Sequence, residues 1–169
     1  RQRKHWDSFT DWARDQTKIL LDPIVHVLGR LGLHPNTITI VGFLLQVGVG
    51  ILFSLGYLTL GGWSLIIVGP VDALDGMLAR AFGQKSLFGA FLDWTRDRLS
   101  DAALILGLAT HYLRQGSYLE VALLVVSLVA ASMVSYVRAR AEALGFPCKV
   151  GVLTRLERLL LISVLSAVG

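Results

Sequence analysis

At 169 residues and 54% hydrophobic, the chain is long enough for one domain and too apolar for an ordinary soluble one. Its formal net charge of +4 is a membrane and anion signal, since no folded soluble surface is left to carry nucleic-acid binding. Cys148 stands alone, which excludes a disulfide framework or a cysteine-based metal site within one chain.

The first 30 residues are mixed and charged without an isolated apolar core, so no cleavable signal peptide is expected. Trp6, Phe9, Trp12, Ile19 and Leu20 recur at loosely helical spacing, with Asp7, Asp11, Arg14, Asp15 and Lys18 between them. Pro23 is expected to divide this stretch into two helices, the second over 24–31. An amphipathic, tryptophan-bearing stretch beside a membrane span reads as an interfacial helix, here residues 1–34. The plainer reading of the same pattern is a helix packed on a soluble partner.

A spanning helix needs roughly 20 mostly apolar residues. Five segments come close: 38–58, 61–81, 87–110, 119–137 and 152–168. Short connections join them, so residues 35–169 are expected to form one all-α, polytopic transmembrane bundle. Pro70 predicts a kink in the second span. If the spans alternate, one side receives the N-terminal region, the 80–85 turn and the 141–151 loop. With the adjoining helix ends, that side holds every lysine and arginine except Arg114. The positive-inside rule therefore places the N-terminus and the active side in the cytoplasm, in a multi-pass protein of the cell membrane.

Between the second and third spans the chain reads VDALDGMLARAFGQKSLFGAFLDWTRDRLSD. Asp72 and Asp75 lie three apart, and Asp93, Asp97 and Asp101 follow at intervals of four. Residues three or four apart share a helix face. Two carboxylates from each of two neighbouring helices can thus converge just inside the membrane. Burying an ionised carboxylate at that depth costs at least ~2.5–3.5 kcal/mol, so it needs a partner or a task. Oxygen-only ligation without His or Cys points to Mg²⁺ or Mn²⁺, two of which could polarise a diphosphate. Gly76, Gly83 and Gly89 would let a phosphate approach the backbone, and Arg80 could clamp it. Two other readings compete. The aspartates could form structural ion pairs with Arg80, Arg96 and Arg98, or line the pathway of a cation-coupled transporter. Transporter carboxylates usually lie near mid-bilayer, whereas these sit at helix ends.

The string Asp72-x2-Asp75-Gly76-x2-Ala79-Arg80-x8-Gly89-x3-Asp93-x3-Asp97 resembles the signature of the CDP-alcohol phosphotransferases at every fixed position. The HPNTIT lead-in to the first span and the order of spans are similar too. The aspartate motifs of intramembrane prenyltransferases differ in spacing. The resemblance implies transfer of a phosphatidyl-type group from a CDP-linked lipid to the hydroxyl of a small alcohol, with release of CMP. It implies that Asp72, Asp75, Asp93 and Asp97 hold the metals, with Asp97 also the general base. Asn36, Thr39, Asp72, Gly76, Ala79, Arg80 and Gly89 would then contact the CDP-lipid. Asp101 lies outside the motif and is read as a supporting or structural residue. The family usually has six spans, of which five are legible here, and it implies a homodimer. Small residues at Gly48, Gly50 and 130–132 would permit close helix packing.

Four arginines, Arg138, Arg140, Arg155 and Arg158, fall near the cytoplasmic mouth. Each alone could be a positive-inside flank. Together they suit an anionic acceptor, since guanidinium groups bind phosphate well. The RAEA and RxERL strings resemble the branch of the family that uses inositol 1-phosphate with a diacylglycerol or archaeol lipid. By that likeness Arg138 and Arg158 are the best phosphate ligands. Glycerol 3-phosphate is the rival acceptor. Serine, lacking a phosphate, fits four arginines less well.

Overall fold

The computed structural model describes residues 21–32, 34–84, 86–146 and 162, with the side chains of Asp72 and Ala73 outside that description. Among the described residues the helices follow in order α1 (21–30), α2 (Pro35–Ser54), α3 (Leu58–Val68), α4 (Val71–Ala81), α5 (Leu87–Arg114) and α6 (Tyr118–Ala143). No strand occurs among the described residues. The fold is all-α, as expected. By length and composition α2 and α6 can each cross a membrane, while α3 is a shorter apolar helix.

The second expected span is corrected by the structure. Residues 61–81 are not one helix but parts of two 11-residue helices parted at Gly69 and Pro70. Pro70 has no amide hydrogen and its ring crowds the carbonyl four residues back, so the ladder cannot run through. Both residues keep near-helical dihedrals, with φ −51° and ψ −48° at Gly69 and φ −62° and ψ −24° at Pro70. The interruption is therefore a kink, as the proline predicts. It lets α4 take its own direction and turn Asp75 toward α2.

The expected helix over 24–31 is present as α1, with Pro23 inside it. The break expected at Pro23 and the interfacial helix rest on residues 1–20, outside the described residues. The fifth span, 152–168, also lies outside them except for Ile162, which is helical.

The most extensive packing is between α2 and α5; α2 also meets α3 and α4, and α5 meets α6. Two apolar clusters fasten the bundle. Leu21, Val25, Ile38, Leu74, Met77 and Leu78 join α1, α2 and α4. At the other end Val49, Phe53, Leu65, Leu104 and Leu108 join α2, α3 and α5, with Leu124 and Ile162 packed against them. The α2–α5 crossing depends on glycine. A Cβ on Gly50 would stand 2.5 Å from the Ala103 carbonyl oxygen, and one on Gly107 would strike the Gly50 backbone. No side chain of α6 is buried, and Leu119, Leu123, Val126, Val129 and Val134 are exposed along it.

Candidate active site

Three helix ends meet at one groove. His34 caps the start of α2, where its ring accepts from the Asn36 amide at 3.3 Å and Pro35 takes the first turn. Pro35 fits because its absent N–H would have had no partner there. This sets Asn36 and Thr39 one turn apart on the inner face. α4 ends at Ala81 and is capped by Phe82, and Gly83 then takes φ +65°, a conformation that other residues adopt only with strain. The chain turns back through Gln84 to Ser86, whose hydroxyl caps α5 by accepting from the Gly89 amide at 2.9 Å.

The groove has a volume of about 230 Å³. Pro35, Asn36, Thr39, Asp75, Gly76, Ala79, Arg80, Gln84, Ser86, Gly89, Ala90 and Asp93 line it. Six of the expected CDP-lipid contacts and two of the expected metal ligands are thus brought together from α2, α4 and α5. The two motif glycines keep the groove open. A Cβ on Gly89 would stand 3.0 Å from Ser86 Oγ and 3.3 Å from Asn36 Oδ1. One on Gly76 would sit 3.7 Å from a nitrogen of the Arg80 guanidinium, which lies over that face.

Asp75 is buried, and its oxygens are held from three directions. The Thr39 hydroxyl donates to Oδ2 at 2.7 Å, with the Pro35 carbonyl oxygen 3.1 Å from the same hydroxyl. The Gly76 amide donates to Oδ1, and Nη1 of Arg96 lies 3.5 Å from Oδ2. Nη2 of Arg96 donates to Asp93 Oδ1 at 2.7 Å and to Asp97 Oδ1 at 2.8 Å. One buried guanidinium therefore spans three motif aspartates. The ion-pair alternative is realised for Arg96, while Arg80 is exposed and lines the groove. Asp97 is partly buried beside the groove and does not line it. Asp101 is buried one turn beyond Asp97 on α5.

Among the described residues no three carboxylates close around a common point at ligand distance. Arg96 stands between them, and the Asp72 side chain lies outside the description. The donor set still fits a divalent cation in kind and charge: all oxygen, with three carboxylates against one guanidinium.

Of the expected acceptor arginines, the groove does not gather Arg138 or Arg140. Arg138 and Arg140 are exposed on the last turns of α6, where Arg138 Nε donates to Glu142 Oε1 at 2.9 Å. Arg155 and Arg158 lie outside the described residues. Sequence reasoning missed Pro35, Gln84, Ser86 and Ala90 as lining. A serine three residues before a glycine at a helix start was the available signal for Ser86.

The family model described as CDP-alcohol phosphatidyltransferase matches residues 32–168. The archaetidylinositol phosphate synthase of Pyrococcus horikoshii is 40% identical over 154 residues, covering 90% of this chain and 79% of that protein. A crystal structure of Mycobacterium tuberculosis phosphatidylinositol phosphate synthase with CDP-DAG bound superposes with a TM-score of 0.80 at 36% identity. It covers 86% of this chain and 74% of that one. The same enzyme in complex with manganese and citrate gives a TM-score of 0.77 at 36% identity, covering 86% of this chain and 71% of that one.

Proposed function

The chain belongs to the CDP-alcohol phosphatidyltransferase family, and from that premise we propose that it is an integral-membrane phospholipid synthase acting on inositol 1-phosphate. The donor is a CDP-linked lipid, CDP-diacylglycerol or CDP-archaeol, and CMP is released. One observation carries the reading: the groove gathers Asn36, Thr39, Asp75, Gly76, Ala79, Arg80, Gly89 and Asp93 from three helices. Relatives that bear the names of inositol-phosphate lipid synthases support the acceptor.

The donor's diphosphate lies between the two motif glycines, and Arg80 closes over it from the exposed side. The acceptor hydroxyl oxygen bonds to the lipid-side phosphorus. The bond from that phosphorus to the oxygen it shares with CMP breaks, and CMP leaves with that oxygen. The hydroxyl proton passes to the Asp97 carboxylate, which is partly exposed beside the groove. Asp72, Asp75, Asp93 and Asp97 would hold divalent ions, Mg²⁺ or Mn²⁺, which supply charge neutralisation to the diphosphate. The Thr39 hydroxyl fixes the Asp75 oxygen that takes part. Arg138 and Arg140, with Arg155 and Arg158 from the following segment, serve the acceptor phosphate.

The protein is multi-pass, with α2, the α3–α4 pair, α5 and α6 as spans and 152–168 expected as a further one. At ~1.5 Å per residue, the 28 residues of α5 extend about 42 Å, enough to cross with its N-terminal half, which carries the charged run from Asp93 to Asp101, toward the cytoplasmic side. Residues 1–34 form the interfacial helical segment and 35–169 the catalytic domain. The exposed apolar length of α6 suits lipid or the second subunit of a homodimer.

The test is CMP release by purified protein in detergent with CDP-diacylglycerol, Mg²⁺ and either inositol 1-phosphate or glycerol 3-phosphate. Release with inositol 1-phosphate alone is expected. Release with glycerol 3-phosphate alone would keep the family and overturn the acceptor. A transporter would need neither CDP-lipid nor release CMP.

A further inference from the structure

The aspartate motif requires no basic residue at position 96, yet Arg96 is 5% exposed at the centre of the carboxylates. A single nitrogen, Nη2, lies 2.7 Å from Asp93 Oδ1 and 2.8 Å from Asp97 Oδ1. It occupies the position from which a cation would bridge the two groups. A magnesium ion takes carboxylate oxygens at about 2.0–2.1 Å and tolerates little distortion of its octahedron. Metal and guanidinium therefore compete for the same oxygens and the same space. A guanidinium stays charged, so it cannot give way by losing a proton. It can only move. Its long stem rises from α5 beside the groove that Asp75 and Asp93 line, and an anion bound in that groove would receive it.

We propose that Arg96 is the resident counter-cation of this cluster, holding Asp75, Asp93 and Asp97 together until a divalent ion displaces it. Metal binding is then an exchange of guanidinium for metal. A nucleotide diphosphate in the groove favours the exchange by giving the displaced arginine a new partner. The proposal rests on the transferase reading above and assigns Arg96 a positioning role.

Mn²⁺ binding to the full chain in detergent, measured by titration calorimetry with and without CDP, tests it apart from turnover. Arg96→Met is expected to lower the Mn²⁺ Kd without nucleotide by about tenfold, the equivalent of one charge-assisted hydrogen bond. The gain that CDP brings to wild type should shrink in that variant. Arg98→Gln removes the same charge from the same helix and should change the Kd by no more than about twofold, as expected for a charge outside the cluster. Unchanged or weaker binding by Arg96→Met overturns the proposal, and so does equal tightening by both variants. If Arg96→Met does not fold, Arg96→Lys takes its place, because one ammonium cannot fork across three carboxylates. Tighter binding supports the proposal, and unchanged or weaker binding overturns it. Absence of Mn²⁺ binding by wild type as well would overturn the metal site itself, a different failure.

Discussion

Gly107→Ala places one methyl group where α5 crosses α2. The new Cβ would lie 2.8 Å from the Gly50 carbonyl carbon, 3.0 Å from its Cα and closer still to its oxygen. Every one of these atoms is backbone, so no side chain can swing aside and the helices must separate. Overpacking of this kind costs about 1–3 kcal/mol. At roughly 2–4 °C per kcal/mol for a chain of this size, the melting temperature should fall by roughly 2–12 °C. Gly48→Ala is the matched control on α2, since a Cβ there meets nothing within 4 Å. It should hold or gain up to about 1 kcal/mol from helix propensity. Thermal unfolding of both variants in the same detergent decides the matter. A Gly107→Ala protein melting within a degree of Gly48→Ala would refute the glycine-mediated crossing.

Other substitutions probe the groove. Thr39→Val removes the 2.7 Å hydrogen bond to Asp75 and should raise the Mg²⁺ concentration needed for half-maximal CMP release by about 10–100-fold. Asp97→Asn should abolish transfer while CDP-lipid binding, read by calorimetry, survives; full turnover would remove Asp97 as the base. Arg158→Ala should raise the KM for inositol 1-phosphate with kcat little changed, and unaltered kinetics would take that arginine out of the pocket.

The sequence made most of the groove legible because its residues obey helix periodicity. Asp72 and Asp75, Asp93 and Asp97, and the glycines between them already share faces at spacings of three and four. Asn36 and Thr39 are implied by the family resemblance, which the HPNTIT lead-in shares, and not by periodicity. What escaped depends on how the chain turns between helices. Gln84 and Ser86 reach the groove because Gly83 takes a left-handed turn, which no periodicity encodes. The second span reads as one helix because hydropathy runs on through Gly69 and Pro70, although the proline does mark the kink. In the sequence Arg96 is legible only as one of three arginines available to pair with the aspartates. Its reach to Asp75 on α4 follows from how α4 and α5 both pack against α2, a tertiary fact. The acceptor arginines were read from likeness, and the groove does not gather Arg138 or Arg140.

An inositol-phosphate lipid is the defining product of the proposed activity. Purified protein incubated with inositol 1-phosphate, Mg²⁺ and either CDP-diacylglycerol or CDP-archaeol, extracted and analysed by mass spectrometry, should yield a lipid carrying inositol phosphate, with one CMP for each. CMP formed without that lipid, or no product from either donor, would contradict it.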